Sequence, residues 1–154
     1  MQRITDMLKK LIVITAIFVT TNALAIDNLT ISKLANDEKT KASFHQVIEN
    51  NDLPSWILTG GTESSSRTIN LNGNEYQVMT SCKPHDCPSE QIAIMYSKEK
   101  NVMAGVFSSS DEKNNTQDLL WFNISDDLSI DGKTVLFAAI TGSLENHPNE
   151  FNYK

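Results

Sequence analysis

Between Thr68 and Ile124 the chain alternates short β-favouring runs with tight turn signals, and one of these, Asn72-Gly73, leaves little freedom of topology. A two-residue hairpin turn of type I′ needs left-handed backbone at both central positions, which Asn and Gly supply at least cost. Such a turn returns the chain directly beside itself, whereas parallel neighbours need a crossover of about a dozen residues or more. Thr68-Ile69-Asn70-Leu71 therefore pairs antiparallel with Tyr76 to Ser81. Gln91 to Ser97 is nearly all apolar and reads as a central strand, Lys98 to Asn101 as a turn, and Val102 to Phe107 as the next strand. The polar stretch Ser108 to Thr116 reads as a loop before Leu119-Leu120-Trp121-Phe122-Asn123-Ile124, and Trp56-Ile57-Leu58 as a further β-like run. The prediction is an antiparallel meander of about five strands.

Helical signals lie on either side of this block. Thr30 can cap a short turn carrying Ile31 and Leu34, and Asn36 or Asp37 can cap a second helix. On that helix Phe44, Val47 and Ile48 fall at i, i+3 and i+4, giving an inward face that Asn50-Asn51 and Pro54 end. Asp131 can cap a helix over Thr134 to Ile140 with Gly142 as its stop, although the run's Val, Phe and Ile also suit a strand. The pattern is α+β, with a few helices covering one face of the sheet. The closing residues Asn149 to Lys154 are polar with two aromatics and have no assigned place.

The first residues read as an address. Arg3, Lys9 and Lys10 precede the apolar run Leu11 to Val19, and Ala23-Leu24-Ala25 offers small residues where a signal peptidase cuts. This is a secretory signal peptide over residues 1–25. Polar Thr20, Thr21 and Asn22 interrupt the run before the roughly 20 apolar residues of a spanning helix. Residues 26–154 then form a single domain with one core, and no later segment is apolar enough to span a membrane. The full chain has 13 basic and 19 acidic residues; without Arg3, Lys9, Lys10 and Asp6 the balance is 10 against 18, a net charge of −8. That balance keeps an exported domain soluble and disfavours nucleic acid, which calls for a basic patch; it also suits a basic partner.

Export carries the only two cysteines, Cys82 and Cys87, into an oxidising compartment, so a disulfide is the default. It closes the ring Cys82-Lys83-Pro84-His85-Asp86-Cys87 between two strands. So small a ring adds only about 2 kcal/mol by chain entropy, and shape is the better reason for it, because a pre-ordered loop loses less freedom on docking. Four readings of the ring stand side by side. It is a pinned turn with incidental side chains; a zinc site, for which four ligands in six residues wrap a tetrahedron poorly and oxidation consumes both thiolates; a redox pair, which lacks the usual C-x-x-C spacing; or a recognition loop. In the last, His85 donates from both ring nitrogens when charged, between Lys83 and Asp86 of opposite sign, and suits a cleft lined with carboxylates.

The remaining candidates carry less. His45 sits beside an apolar helix face as a satisfied structural residue, and His147 in a polar tail is solvated. Asp126-Asp127 and Asp131 lack the calcium-loop spacing and read as turn and cap chemistry. Asn28-Leu29-Thr30, Asn114-Asn115-Thr116 and Asn123-Ile124-Ser125 are glycosylation triplets only in a eukaryotic pathway. Neither G-x-S-x-G, nor H-E-x-x-H, nor a Gly-rich phosphate loop occurs, so no catalytic site, cofactor or metal is expected.

The chain resembles the Ivy family, bacterial inhibitors of vertebrate (C-type) lysozyme. The resemblance rests on Thr80-Ser81-Cys82-Lys83-Pro84-His85-Asp86-Cys87, on Leu128 to Ala139 and on Thr141 to Pro148, with Leu53-Pro54-Ser55-Trp56 and Thr59-Gly60-Gly61-Thr62 adding to it. It spans nearly all of residues 26–154 and is least distinct over Glu63 to Arg67. It implies a periplasmic protein that is not an enzyme, with an antiparallel sheet flanked by helices. The disulfide-closed ring would enter the lysozyme cleft, His85 would reach the two catalytic carboxylates, and Lys83, Pro84 and Asp86 would flank it. It also implies a homodimer and a restraining action on the cell's own lytic transglycosylases. The alternative class is a periplasmic enzyme on cell-wall sugars or a metal-dependent binding protein, which turnover by the purified protein would reveal.

Overall fold

The structure is a computed structural model that describes residues 28–153, so the signal segment read over residues 1–25 lies outside the described residues. Five helices and six strands follow in the order α1 (Ile31–Asn36), α2 (Lys41–Asn50), α3 (Trp56–Thr59), β1 (Thr62–Glu63), β2 (Arg67–Leu71), β3 (Asn74–Cys82), β4 (Glu90–Ser97), β5 (Val102–Asp111), β6 (Thr116–Phe122), α4 (Asp131–Ile140) and α5 (Ser143–Asn146). The class is α+β, as expected, and every strand pairing is antiparallel. The sheet runs β1-β3-β4-β5-β6, with β2 pairing along the same side of β3 as β1.

The hairpin at Asn72-Gly73 forms as its chemistry requires. Asn72 has φ 50° and Gly73 φ 78°, and Leu71 faces Asn74 across the turn. β4 is the central strand, with Ile92, Ala93, Ile94 and Met95 fully buried. Alternate side chains on a strand point to opposite faces, and here both faces are covered. Ile92, Ile94 and Tyr96 pack with Phe44, Ile48, Leu34 and Ile57 of α1, α2 and α3. Ala93 and Met95 pack with Val135, Leu136, Ala138 and Leu144 of α4 and α5. The expectation of helices on one face is thus corrected: a continuous apolar run in β4 is the mark of a strand buried on both sides, and the sheet is the middle of three layers.

Other departures have local causes. Trp56-Ile57-Leu58 is a single helical turn, not a strand, because Ile57 and Leu58 donate to the carbonyls of Pro54 and Ser55 at 3.2 and 3.0 Å; three apolar residues in a row carry no period to tell the two apart. Thr30 caps α1 by accepting from the Lys33 amide, but α1 runs on through Asn36, and α2 starts after Thr40 with Asp37 ending α1 instead. Ser108 to Asp111 extend β5, and Thr116 already belongs to β6; Ser108 is buried and accepts from the Gln117 side chain, so polar composition here marks the end of an interior strand, not a loop. α4 is helical, and Gly142 follows it in the left-handed region. The tail is placed by backbone: Tyr153 exchanges hydrogen bonds with Asn70 and Asn72 and bridges Leu71, while Phe151 and Tyr153 pack on the second core.

Candidate functional site

The β3–β4 ladder ends at the pair Cys82 and Gln91, and the Lys83 amide adds one more bond to the Glu90 carbonyl at 3.0 Å. From there the chain leaves the sheet and returns through residues 83–89. The disulfide between Cys82 and Cys87 closes the excursion with a Cα separation of 4.8 Å. Inside the ring the Asp86 amide donates to the Lys83 carbonyl at 3.1 Å, making a turn with Pro84 and His85 at its centre. His85 has φ 64°. Proline second and a left-handed residue third is the pattern of a type II turn, and His is among the few non-glycine residues that tolerate that backbone.

A second turn follows, with the Ser89 amide on the Asp86 carbonyl at 3.2 Å. The Ser89 hydroxyl donates to the Asp86 carboxylate at 2.6 Å, and the Ser110 amide of β5 holds the Ser89 carbonyl at 2.8 Å. Pro84, His85 and Asp86 are exposed at the tip, while Lys83, Cys87 and Ser89 are half-buried at its base. Spacing predicted Lys83, Pro84, His85 and Asp86 as neighbours inside the Cys82–Cys87 ring, and the structure brings them together.

Three contributors escaped the sequence reading. Glu90, the first residue of β4, accepts from Lys83 Nζ at 2.6 Å through one carboxylate oxygen and from Trp56 Nε1 at 2.7 Å through the other. Burial pushes the Glu90 carboxyl up, but these two hydrogen bonds outweigh it and hold the group below its ordinary value. The bond to Glu90 raises the Lys83 ammonium in turn. Gly61 is the third: a Cβ there would sit 2.0 Å from the Cys82 carbonyl oxygen and 2.6 Å from Ser81 Oγ, so only glycine lets β1 close against the root of the ring. A lysine and a glutamate seven residues apart are legible as a pair only once the strand register is known.

His45 and His147 take the structural roles expected. His45 Nε2 lies 3.2 Å from the Ala35 carbonyl, and His147 is exposed. Asp126 opens a 3₁₀ turn over Asp126–Leu128. Among the described residues no group of three or more His, Cys, Asp or Glu side chains converges on a metal position, and both ring sulfurs are spent in the disulfide. No helix among the described residues is long and apolar enough to cross a membrane.

Fold and site together define a class: a three-layered α+β domain whose central sheet carries a disulfide-closed, His-tipped protrusion at one end. The chain belongs to the Ivy family, for the family described as "Inhibitor of vertebrate lysozyme (Ivy)" matches residues 39–123, from the start of the helix α2 region to the end of β6. A relative named "Inhibitor of vertebrate lysozyme" from Escherichia coli (strain K12) is 52% identical over 148 residues, covering 96% of this chain and 94% of its own length. The same name and figures hold for Escherichia coli O157:H7. A third of that name, from Pseudomonas aeruginosa, is 31% identical over 68 residues, or 43% of this chain and 44% of its own.

Proposed function

We propose that this protein is exported to the periplasm and there inhibits C-type lysozyme by inserting its ring into the active-site cleft. The observation that carries the reading is the exposed His85, held on a left-handed turn inside a covalently closed hexapeptide, in a chain whose near full-length relatives are named as inhibitors of vertebrate lysozyme. The chemistry is coherent. Such lysozymes keep one carboxyl protonated as acid beside an ionised carboxylate. An imidazole between them occupies the place of the glycosidic oxygen and ties up both groups. Pro84 and Asp86 complete the contact surface, with Lys83 at its base. Because the loop is ordered before docking, little conformational freedom is lost on binding.

Titrating the purified protein, lacking residues 1–25, into a C-type lysozyme turnover assay tests this directly. Activity should fall linearly to an equimolar endpoint, and the protein alone should leave cell-wall substrate intact. Undiminished lysozyme activity, or cell-wall hydrolysis by the protein itself, would overturn the reading.

A further inference from the structure

We propose that Glu90 is the positioning residue of the ring, and that Lys83 serves the site as a strut bound to Glu90 and not as a contact to the partner. This rests on the inhibitor reading above for its binding consequence, but not for its structural one.

Strand register sets the pair. Cys82 and Gln91 close the ladder, so Lys83 and Glu90 are the next opposed residues, their side chains on one face and within reach. The Glu90 carboxylate uses one oxygen for the Lys83 ammonium and the other for the Trp56 indole. Trp56 begins α3, whose neighbouring Ile57 is fully buried. One side chain thus couples the first residue inside the ring to a turn anchored in the core. The Glu90 side chain is 21% exposed and that of Lys83 38%, so the pair is shielded more than an ordinary surface ion pair, and its second hydrogen bond fixes the geometry.

Two consequences follow for the tip. The Lys83 side chain is folded back along the base, which leaves Pro84, His85 and Asp86 as the exposed surface. Its charge is also neutralised locally. Glu90 also holds the residue from which the Asp86 turn hangs, since the Asp86 amide donates to the Lys83 carbonyl.

The test is a double-mutant cycle of Lys83→Met and Glu90→Gln, with Trp56→Phe alongside, read in two ways. In the free protein, amide exchange of Asp86 should accelerate in all three variants while the β4 amides keep their protection. Against C-type lysozyme, Lys83→Met and Glu90→Gln should each raise the dissociation constant by about tenfold, and the double variant should be no worse than the weaker-binding single, as for two members of one interaction. Additive losses would show that Lys83 touches the partner on its own account and overturn the proposal, as would unchanged Asp86 exchange in the Glu90→Gln protein. A His85→Ala control separates the two readings. If His85 proves irrelevant, the inhibitor mechanism fails while the exchange result still judges the strut. If His85 matters and the cycle is additive, only the strut fails.

Discussion

His85 combines two properties that substitution can pull apart: an imidazole, and a backbone in the left-handed region. His85→Ala removes both the ring and part of the tolerance for φ 64°. His85→Asn keeps the tolerance, because Asn accepts that backbone readily. Both should weaken inhibition by about 2 kcal/mol or more, the cost of truncating a buried hot spot, as measured by the inhibition constant. If Asn retained full potency, turn shape and not imidazole chemistry would be the active property. Glu90 gives a pH prediction at the same scale. Its carboxyl is held below its ordinary value in the folded state, so its contribution is complete above the ordinary carboxylate range and is lost as pH falls through the lowered folded value. Ring amide exchange, corrected for intrinsic rates, should therefore be flat near neutrality and rise only in strong acid, and Glu90→Gln should abolish that acid step. Sequence alone exposes the ring's own six residues, because their role is local. It hides Glu90, Trp56 and Gly61, because what they do depends on which strand lies opposite.

Among the elements, the ring is the one whose removal should leave the rest standing. Its roots are the ends of β3 and β4, whose pairing continues for five residue pairs beyond the one at Cys82. A closure of so few residues adds only about 2 kcal/mol through the unfolded chain. Cys82→Ser should weaken lysozyme inhibition strongly while the far-ultraviolet circular dichroism stays that of the intact sheet; loss of the sheet itself would make the disulfide a structural staple. Elements with their own periodicity or turn chemistry were readable in advance: α2 from Phe44 and Ile48, the β2–β3 hairpin from Asn72-Gly73, β4 from its apolar run. Those that failed lacked such a signal. Trp56–Thr59 is too short to show a period, and β5 ends in Ser108-Ser109-Ser110-Asp111, whose side chains grow more exposed toward the strand's end. The tail's docking on Asn70 and Asn72 is a long-range backbone pairing that no local pattern encodes.

For the molecule as a whole, the two-sided burial of β4 explains why the scaffold can hold a small loop still. The sheet is clamped between α1, α2 and α3 on one face and α4 and α5 on the other, so the strand ends that root the ring have little freedom. This layering is only half legible in the sequence, since the apolar run announces a central strand while nothing local says which face each helix covers. Charge acts at the same scale. With residues 1–25 removed the formal charge is −8, and association with a basic lysozyme should be steered electrostatically. The association rate constant measured by stopped flow should fall as salt rises from about 50 to 500 mM, with the dissociation rate little changed; a salt-independent association rate would remove steering from the account.

The most direct test of the central claim is the structure of the complex with a C-type lysozyme. The Cys82–Cys87 ring should lie inside the cleft, with the His85 ring nitrogens within hydrogen-bond reach of both catalytic carboxylates. A complex in which the ring faces solvent, away from that cleft, would contradict it.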